Sequence, residues 1–143
     1  MKPILFLLLV AQAWSADLKL AGLFTDHMVL QRDQAAAVWG SATPGDEVTV
    51  LFGDQKKVAK AAENGRWTVK LDPMAANAVG RDLVVQCTRV KQETKLTDIV
   101  VGDVWLCSGQ SNMHFQMKSV ENAEKEIAEA NQPAVRFFTV EHQ

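Results

Sequence analysis

From Asp17 to about Leu96 turn-forming residues recur roughly every ten residues, and nothing between them has the period of a helix. That spacing constrains the fold more than any other feature, because a chain broken this often can only build short strands. Leu18 and Leu20 alternate with polar neighbours, and Ala35 to Trp39 ends at Gly40. Thr43-Pro44-Gly45-Asp46 follows as a turn, with Pro44 pre-setting φ and Gly45 free to take positive φ. Glu47 to Phe52 opens with alternation and β-branched residues, and Gly53-Asp54 turns the chain. Lys56 to Ala62 is a weaker run, and Asn64-Gly65 is the dipeptide favoured in two-residue hairpin loops. Arg66 to Leu71 alternates again, and Asp82 to Val90 places Leu83, Val85 and Cys87 on one side. Residues 17–97 are therefore predicted to form an antiparallel β-sandwich, Ig-like or jelly-roll-like.

The amino terminus is of another kind. Lys2 supplies a positive charge, Ile4 to Val10 an apolar run, and Ala11, Ala13 and Ser15 the small residues that a signal peptidase accepts. The apolar run is shorter than the roughly 20 residues a bilayer demands, so residues 1–15 read as a removable signal peptide. The expectation is an exported chain, secreted or periplasmic, or lysosomal in a eukaryote. Fifteen Lys plus Arg against seventeen Asp plus Glu give a net charge of -2 with both signs interspersed. Nucleic acid and anionic membrane are thereby excluded as partners, since both demand a concentrated basic face. Two cysteines, Cys87 and Cys107, are too few for a disulfide-built scaffold, and buried thiols and a single bridge stay open. His27, His114 and His142 lie far apart, with no CxxC, HxH or HExxH spacing, so neither a metal nor another cofactor is expected.

The pattern changes near Asp98. Ile99-Val100-Val101, Gly102-Asp103 and Val104-Trp105-Leu106-Cys107 make a nearly continuous apolar run, which fits a strand buried on both faces. Val120, Ala123, Ile127 and Ala130 form one stripe of a helix over 120–130, with Ser119 placed to cap it and Glu121 with Lys125 as an i,i+4 pair. Pro133 ends that helix, and Val135 to Val140 reads as a second strand. Residues 98–143 are thus predicted to be the first βαβ unit of an α/β domain, cut short because one such unit cannot cover both faces of its own sheet.

Ser111 falls in the loop between the predicted buried strand and the predicted helix. Open α/β sheets place ligands at that edge, and helix amino termini there offer N–H groups to a developing oxyanion. Gly109 lets the backbone turn so that a serine two residues on can be presented. Read from residues alone, Ser111 is equally a helix cap, and Asn112 either caps or, with Gln110, touches substrate. His114 lies one turn from Ser111 and reads either as a substitute base or as a residue at the pocket rim. His27 reads as a turn or domain-interface residue, and Trp39, Trp67 and Trp105, each within an apolar pattern, as core rather than as a sugar platform.

The block Asp103-Val104-Trp105-Leu106-Cys107-Ser108-Gly109-Gln110-Ser111-Asn112-Met113 resembles the first conserved block of the sialate O-acetylesterase family, a branch of the SGNH hydrolases. Asp26 to Gln31, Val38-Trp39-Gly40, Thr43-Pro44-Gly45 and Trp67 to Met74 resemble the β-sandwich that precedes the catalytic domain in that family, so the likeness spans most of residues 22 to 118. It implies a flavodoxin-like SGNH domain after the sandwich and a serine esterase acting on O-acetylated sialic acid or a related sugar. Ser111 would be its nucleophile and the Ser111 N–H one oxyanion donor, with Gln110 and Asn112 near the substrate. The family's late Asp-x-x-His block has no counterpart here, so the resemblance implies an amino-terminal fragment without activity of its own. His114 departs from the Gln or Glu that the resemblance leads one to expect. Two other readings stand beside it: an acetylesterase of plant polysaccharide such as xylan or pectin, and a secreted, non-catalytic sugar-binding sandwich.

Overall fold

A computed structural model describes residues 17–140; the predicted signal peptide and His142 lie outside them. Eight strands are followed by two short 3-10 turns and one helix. They are β1 (Lys19–Leu20), β2 (Val29–Gln31), β3 (Ala36–Ser41), β4 (Glu47–Phe52), β5 (Gln55–Lys60), β6 (Arg66–Leu71), β7 (Asn77–Cys87), β8 (Gln92–Gly102) and α1 (Ala123–Glu129). A three-stranded sheet has the order β1-β3-β6 and a five-stranded sheet the order β2-β8-β7-β4-β5.

Strict alternation decides which side chains go inside. Along β6, Trp67, Val69 and Leu71 are buried while Arg66, Thr68 and Lys70 face out. They join Val38 of β3 in one core with Val48, Val50 and Phe52 of β4, Leu83, Val85 and Cys87 of β7, and Ile99 and Val101 of β8. The two sheets thus bury their inner faces against each other.

Turn chemistry holds at two corners and fails at a third. Asp46 N donates to Thr43 O at 3.0 Å, and Gly45 has φ +86°, as a turn with Pro at its second and Gly at its third position requires. Gly53, with φ +59°, makes the tight hairpin in which Phe52 faces Gln55. Asn64-Gly65 is not a two-residue hairpin: β5 pairs with β4 and β6 with β3, so this dipeptide rounds a corner between sheets. Asn64 Oδ1 accepts from Arg66 N at 3.0 Å there.

The sandwich is not purely antiparallel, because β2 pairs in parallel with β8, Val29 opposite Val100 and Gln31 opposite Gly102. The consecutive burial expected of a strand covered on both faces falls on Ile99, Val100 and Val101. β8 runs unbroken through Thr97 and Asp98, so regular pairing ends at Gly102. Gly80 permits β7 to pass close to it, since a Cβ there would stand 2.9 Å from Asp98 Cα.

The βαβ unit does not form among the described residues. Val104 to Cys107 is not a strand, and Trp105 and Leu106 are 84% and 94% exposed; Val135 to Val140 is not a strand either. A strand buried on both faces requires paired neighbours and covering helices, and no element packs there to provide them. The helix begins at Ala123, three residues later than the stripe predicts, leaving Glu121 outside it and Ser119 in a 3-10 turn. Asn122, at φ 59°, precedes it with no side-chain cap, and Ile127 is exposed because nothing lies opposite the stripe.

Asp46 is the notable buried charge, 3% exposed. Arg89 Nε donates to its Oδ1, Arg89 Nη2 to its Oδ2 at 2.9 Å, and Cys87 Sγ lies 3.4 Å from Oδ2. The Arg89 guanidinium holds the Asp46 carboxyl below the usual carboxylate range, against the opposing effect of burial. A lowered native pKa gives stability that is fully present above the unfolded value of about 4 and is lost as pH falls through the native one. Urea midpoints followed from about pH 7 to about pH 2 should therefore fall only in strong acid, and Arg89→Met should begin to fall at higher pH, because the largest influence lowering the Asp46 carboxyl is then gone while burial still raises it.

Candidate functional site

The parallel edge formed by β2 and β8, from which the chain runs on toward Ser111, carries a set of polar contacts. Asp26 Oδ1 accepts from Thr97 N at 2.6 Å and from Thr97 Oγ1 at 3.0 Å. The Thr97 backbone bond first, then its hydroxyl, holds the Asp26 carboxyl below its ordinary range. His27 and Asp98 both have positive φ, 62° and 55°, and His27 Nδ1 lies 2.7 Å from Asp98 Oδ2. His27 thus lies in a turn, and its ring reaches across to β8. Its hydrogen bond is the main reason, ahead of Arg136, that the Asp98 carboxyl lies below its usual range.

Past β2, Arg32 Nε donates to Asp103 Oδ1 at 2.9 Å, and Gln31 Oε1 accepts from Val104 N at 2.8 Å. The two sequence blocks that resemble one family, Asp26 to Gln31 and Asp103 to Met113, are therefore clasped together in space. Sequence reading missed this clasp. The available signal was the pair of polar ends, Gln31-Arg32 and Asp103, each just past a short apolar run.

Ser111 opens a 3-10 turn, Ser111–His114, with Gln110 preceding it at φ −107° and ψ −149°. Met113 N donates to Gln110 O at 2.9 Å and Phe115 N to Asn112 O at 3.2 Å. Ser111, Gln110 and Asn112 are all exposed and adjacent. Neither Ser111 nor Asn112 caps a helix by its side chain. Gly109 serves by close approach rather than by positive φ, since a Cβ there would stand 2.7 Å from Met113 Cγ. The His27 imidazole is bonded to Asp98 rather than to the Ser111 hydroxyl. A shallow cleft of about 480 Å³ lies instead at the clasp, lined by Gln31, Gln34, Asp103, Val104 and Trp105.

Of the tryptophans, Trp67 is in the core, and Trp39 is 38% exposed with its ring edge-on to Phe24 at 4.8 Å. Trp105 is exposed, contrary to the core reading, for the same reason that its segment is not a strand. Cys87 is buried and Cys107 exposed, both as free thiols, so no bridge joins them.

The carboxyl-terminal segment returns to this edge. Arg136 Nη1 donates to the backbone carbonyls of Asp98 and Met28, and Nη2 lies 3.0 Å from Asp98 Oδ2. The stretch from Val104 to Val135, with Ser111 inside it, is thus tied to the β2–β8 edge at both ends.

No family model matches the chain. It is 36% identical over 140 residues to the sialate O-acetylesterase of Mus musculus, covering 92% of this chain, and 36% identical over 131 residues to that of Homo sapiens, covering 85%. Along most of its length the chain is thus similar to part of the sialate O-acetylesterases. It spans about a quarter of the length of these relatives, 26% of the mouse protein and 25% of the human one. Among solved structures it is similar to a carbohydrate acetylesterase from Xanthomonas citri, with a TM-score of 0.73 and 36% identity over 80% of this chain and 26% of that one. This chain and that acetylesterase therefore share a fold over most of this chain's length.

Arg136→Ala should release the far end of that segment while leaving the β core intact. Limited proteolysis should then cut within 130–140 several times faster, with the thermal midpoint of the β-rich part unchanged to within about 2 °C.

Proposed function

We propose that the full-length gene product is an exported carbohydrate O-acetylesterase with Ser111 as its nucleophile. The observation that carries the reading is the Ser108 to Asn112 block, exposed on a turn anchored to the β2–β8 edge, in a chain 36% identical to sialate O-acetylesterases over 92% of its length. O-acetylated sialic acid is the favoured substrate because the curated relatives that match the chain are sialate O-acetylesterases.

In this reaction Ser111 Oγ attacks the acetyl carbonyl carbon as its proton passes to a base. Negative charge gathers on the carbonyl oxygen, where the Ser111 N–H at the start of the turn is one donor, with Gln110 and Asn112 beside it. The sugar hydroxyl leaves with a proton, and water then cleaves the acetyl-serine to acetate. The SGNH-type domain supplies the base, an imidazole oriented by a carboxylate, from outside residues 17–140. The residues at 1–15 carry the features of an export leader, which supports a reaction outside the cytoplasm.

The full-length product should hydrolyse p-nitrophenyl acetate and O-acetylated sialic acid, and Ser111→Ala should lower kcat by about a thousandfold or more. The 143-residue chain alone should turn over neither substrate. A Ser111→Ala enzyme with wild-type kcat would contradict the assignment.

A further inference from the structure

The strand leading to Ser111 leaves the sheet at Gly102, and the next two residues set the root from which the serine segment departs. The last register pair of the parallel ladder is Gln31 with Gly102, and Arg32 N donates to Gly102 O at 2.9 Å. A further ladder step would have a backbone carbonyl of the β2 side take the Val104 N–H. The Gln31 side chain stands in that place. Its Oε1 accepts from Val104 N at 2.8 Å, and its Nε2 donates to Arg32 O at 3.2 Å. One side-chain amide thus bridges a donor on one chain segment and an acceptor on the other, extending the pairing one step beyond the strand. Arg32 Nε adds its bond to Asp103 Oδ1 at 2.9 Å. Among the described residues, 105–109 make no hydrogen bond to either sheet, so these contacts are the last fixed points before the turn that opens with Ser111.

We propose that Gln31, assisted by Arg32, is a positioning residue for the Ser111 reaction, holding Val104 and Asp103 against the end of β2 so that the serine segment starts from one place and in one direction. The proposal rests on the esterase reading above. Gln31 carries the larger share: Arg32 and Asp103 have side chains 44% and 55% exposed, and ion pairs that open to water hold little. The Val104 amide, by contrast, has no other acceptor among the described residues. Gln31 touches neither substrate nor the reacting atoms in this scheme and acts through Val104 alone.

The test uses the full-length gene product with p-nitrophenyl acetate. Gln31→Leu removes both amide bonds at similar size, whereas Gln31→Glu keeps an acceptor for the Val104 N–H. The expected result is a kcat about tenfold or more lower in Gln31→Leu, with KM within about threefold of wild type, because small misplacement of a nucleophile acts mainly on the chemical step. Gln31→Glu should recover most of that kcat. Wild-type kcat in Gln31→Leu would overturn the proposal while leaving the esterase reading intact. Equal losses in Gln31→Leu and Gln31→Glu, tracking a common fall in thermal midpoint, would also overturn it, since that marks a structural role only. A wild-type product inactive on every acetyl ester would remove the esterase reading, and this proposal with it.

Discussion

The parallel pairing of β2 with β8 is the contact on which the rest of the arrangement depends. β2 is only three residues long, yet it joins positions 71 apart in sequence and brings two sequence blocks into one place. Leu30, Val100 and Val101 are buried there, which supplies the apolar component, while Asp26 on Thr97, His27 on Asp98 and Arg32 on Asp103 fix the register from outside. Each exposed ion pair contributes little by itself. Their joint effect is directional: they leave a three-residue strand one alignment only, and a slip of one residue would turn Leu30 out of the core.

Stability and presentation are divided between two parts of the chain. The core of β3, β4, β6, β7 and β8 buries its apolar faces almost completely. Residues 104–140 instead expose Trp105, Leu106 and Phe137, whose burial would each stabilise by roughly 2 kcal/mol if covered. The Ser111 turn is therefore held by its two ends rather than by packing beneath it. That is consistent with a reactive group mounted on a rigid β frame and shaped by what closes over it.

Much of the frame was legible in the sequence. The alternation of Arg66 to Leu71, the Pro44-Gly45 turn and the Gly53 hairpin each follow from local rules, and the structure realises them. Asn64-Gly65 misled because a turn dipeptide says where the chain bends but not which strands it joins. The parallel β2 pairing was illegible because no local rule announces a partner 71 residues away. Val104 to Cys107 misled differently: an apolar run is necessary for a buried strand, yet without neighbours to pair and cover it the run stays exposed. Ser111, read as a loop residue between a buried strand and a helix, opens a 3-10 turn, and the strand before it ends at Gly102 rather than at Cys107.

Residue-resolved amide hydrogen exchange on the chain examines most directly the claim that the β frame grips the root of the serine segment. The Val104 amide, bonded to Gln31, should exchange at least about tenfold more slowly than the amides of Leu106 and Cys107, and should lie with Val101 rather than with them. Val104 exchanging as fast as Leu106, with Val101 still protected, would mean that the grip ends with the sheet and that Gln31 holds nothing.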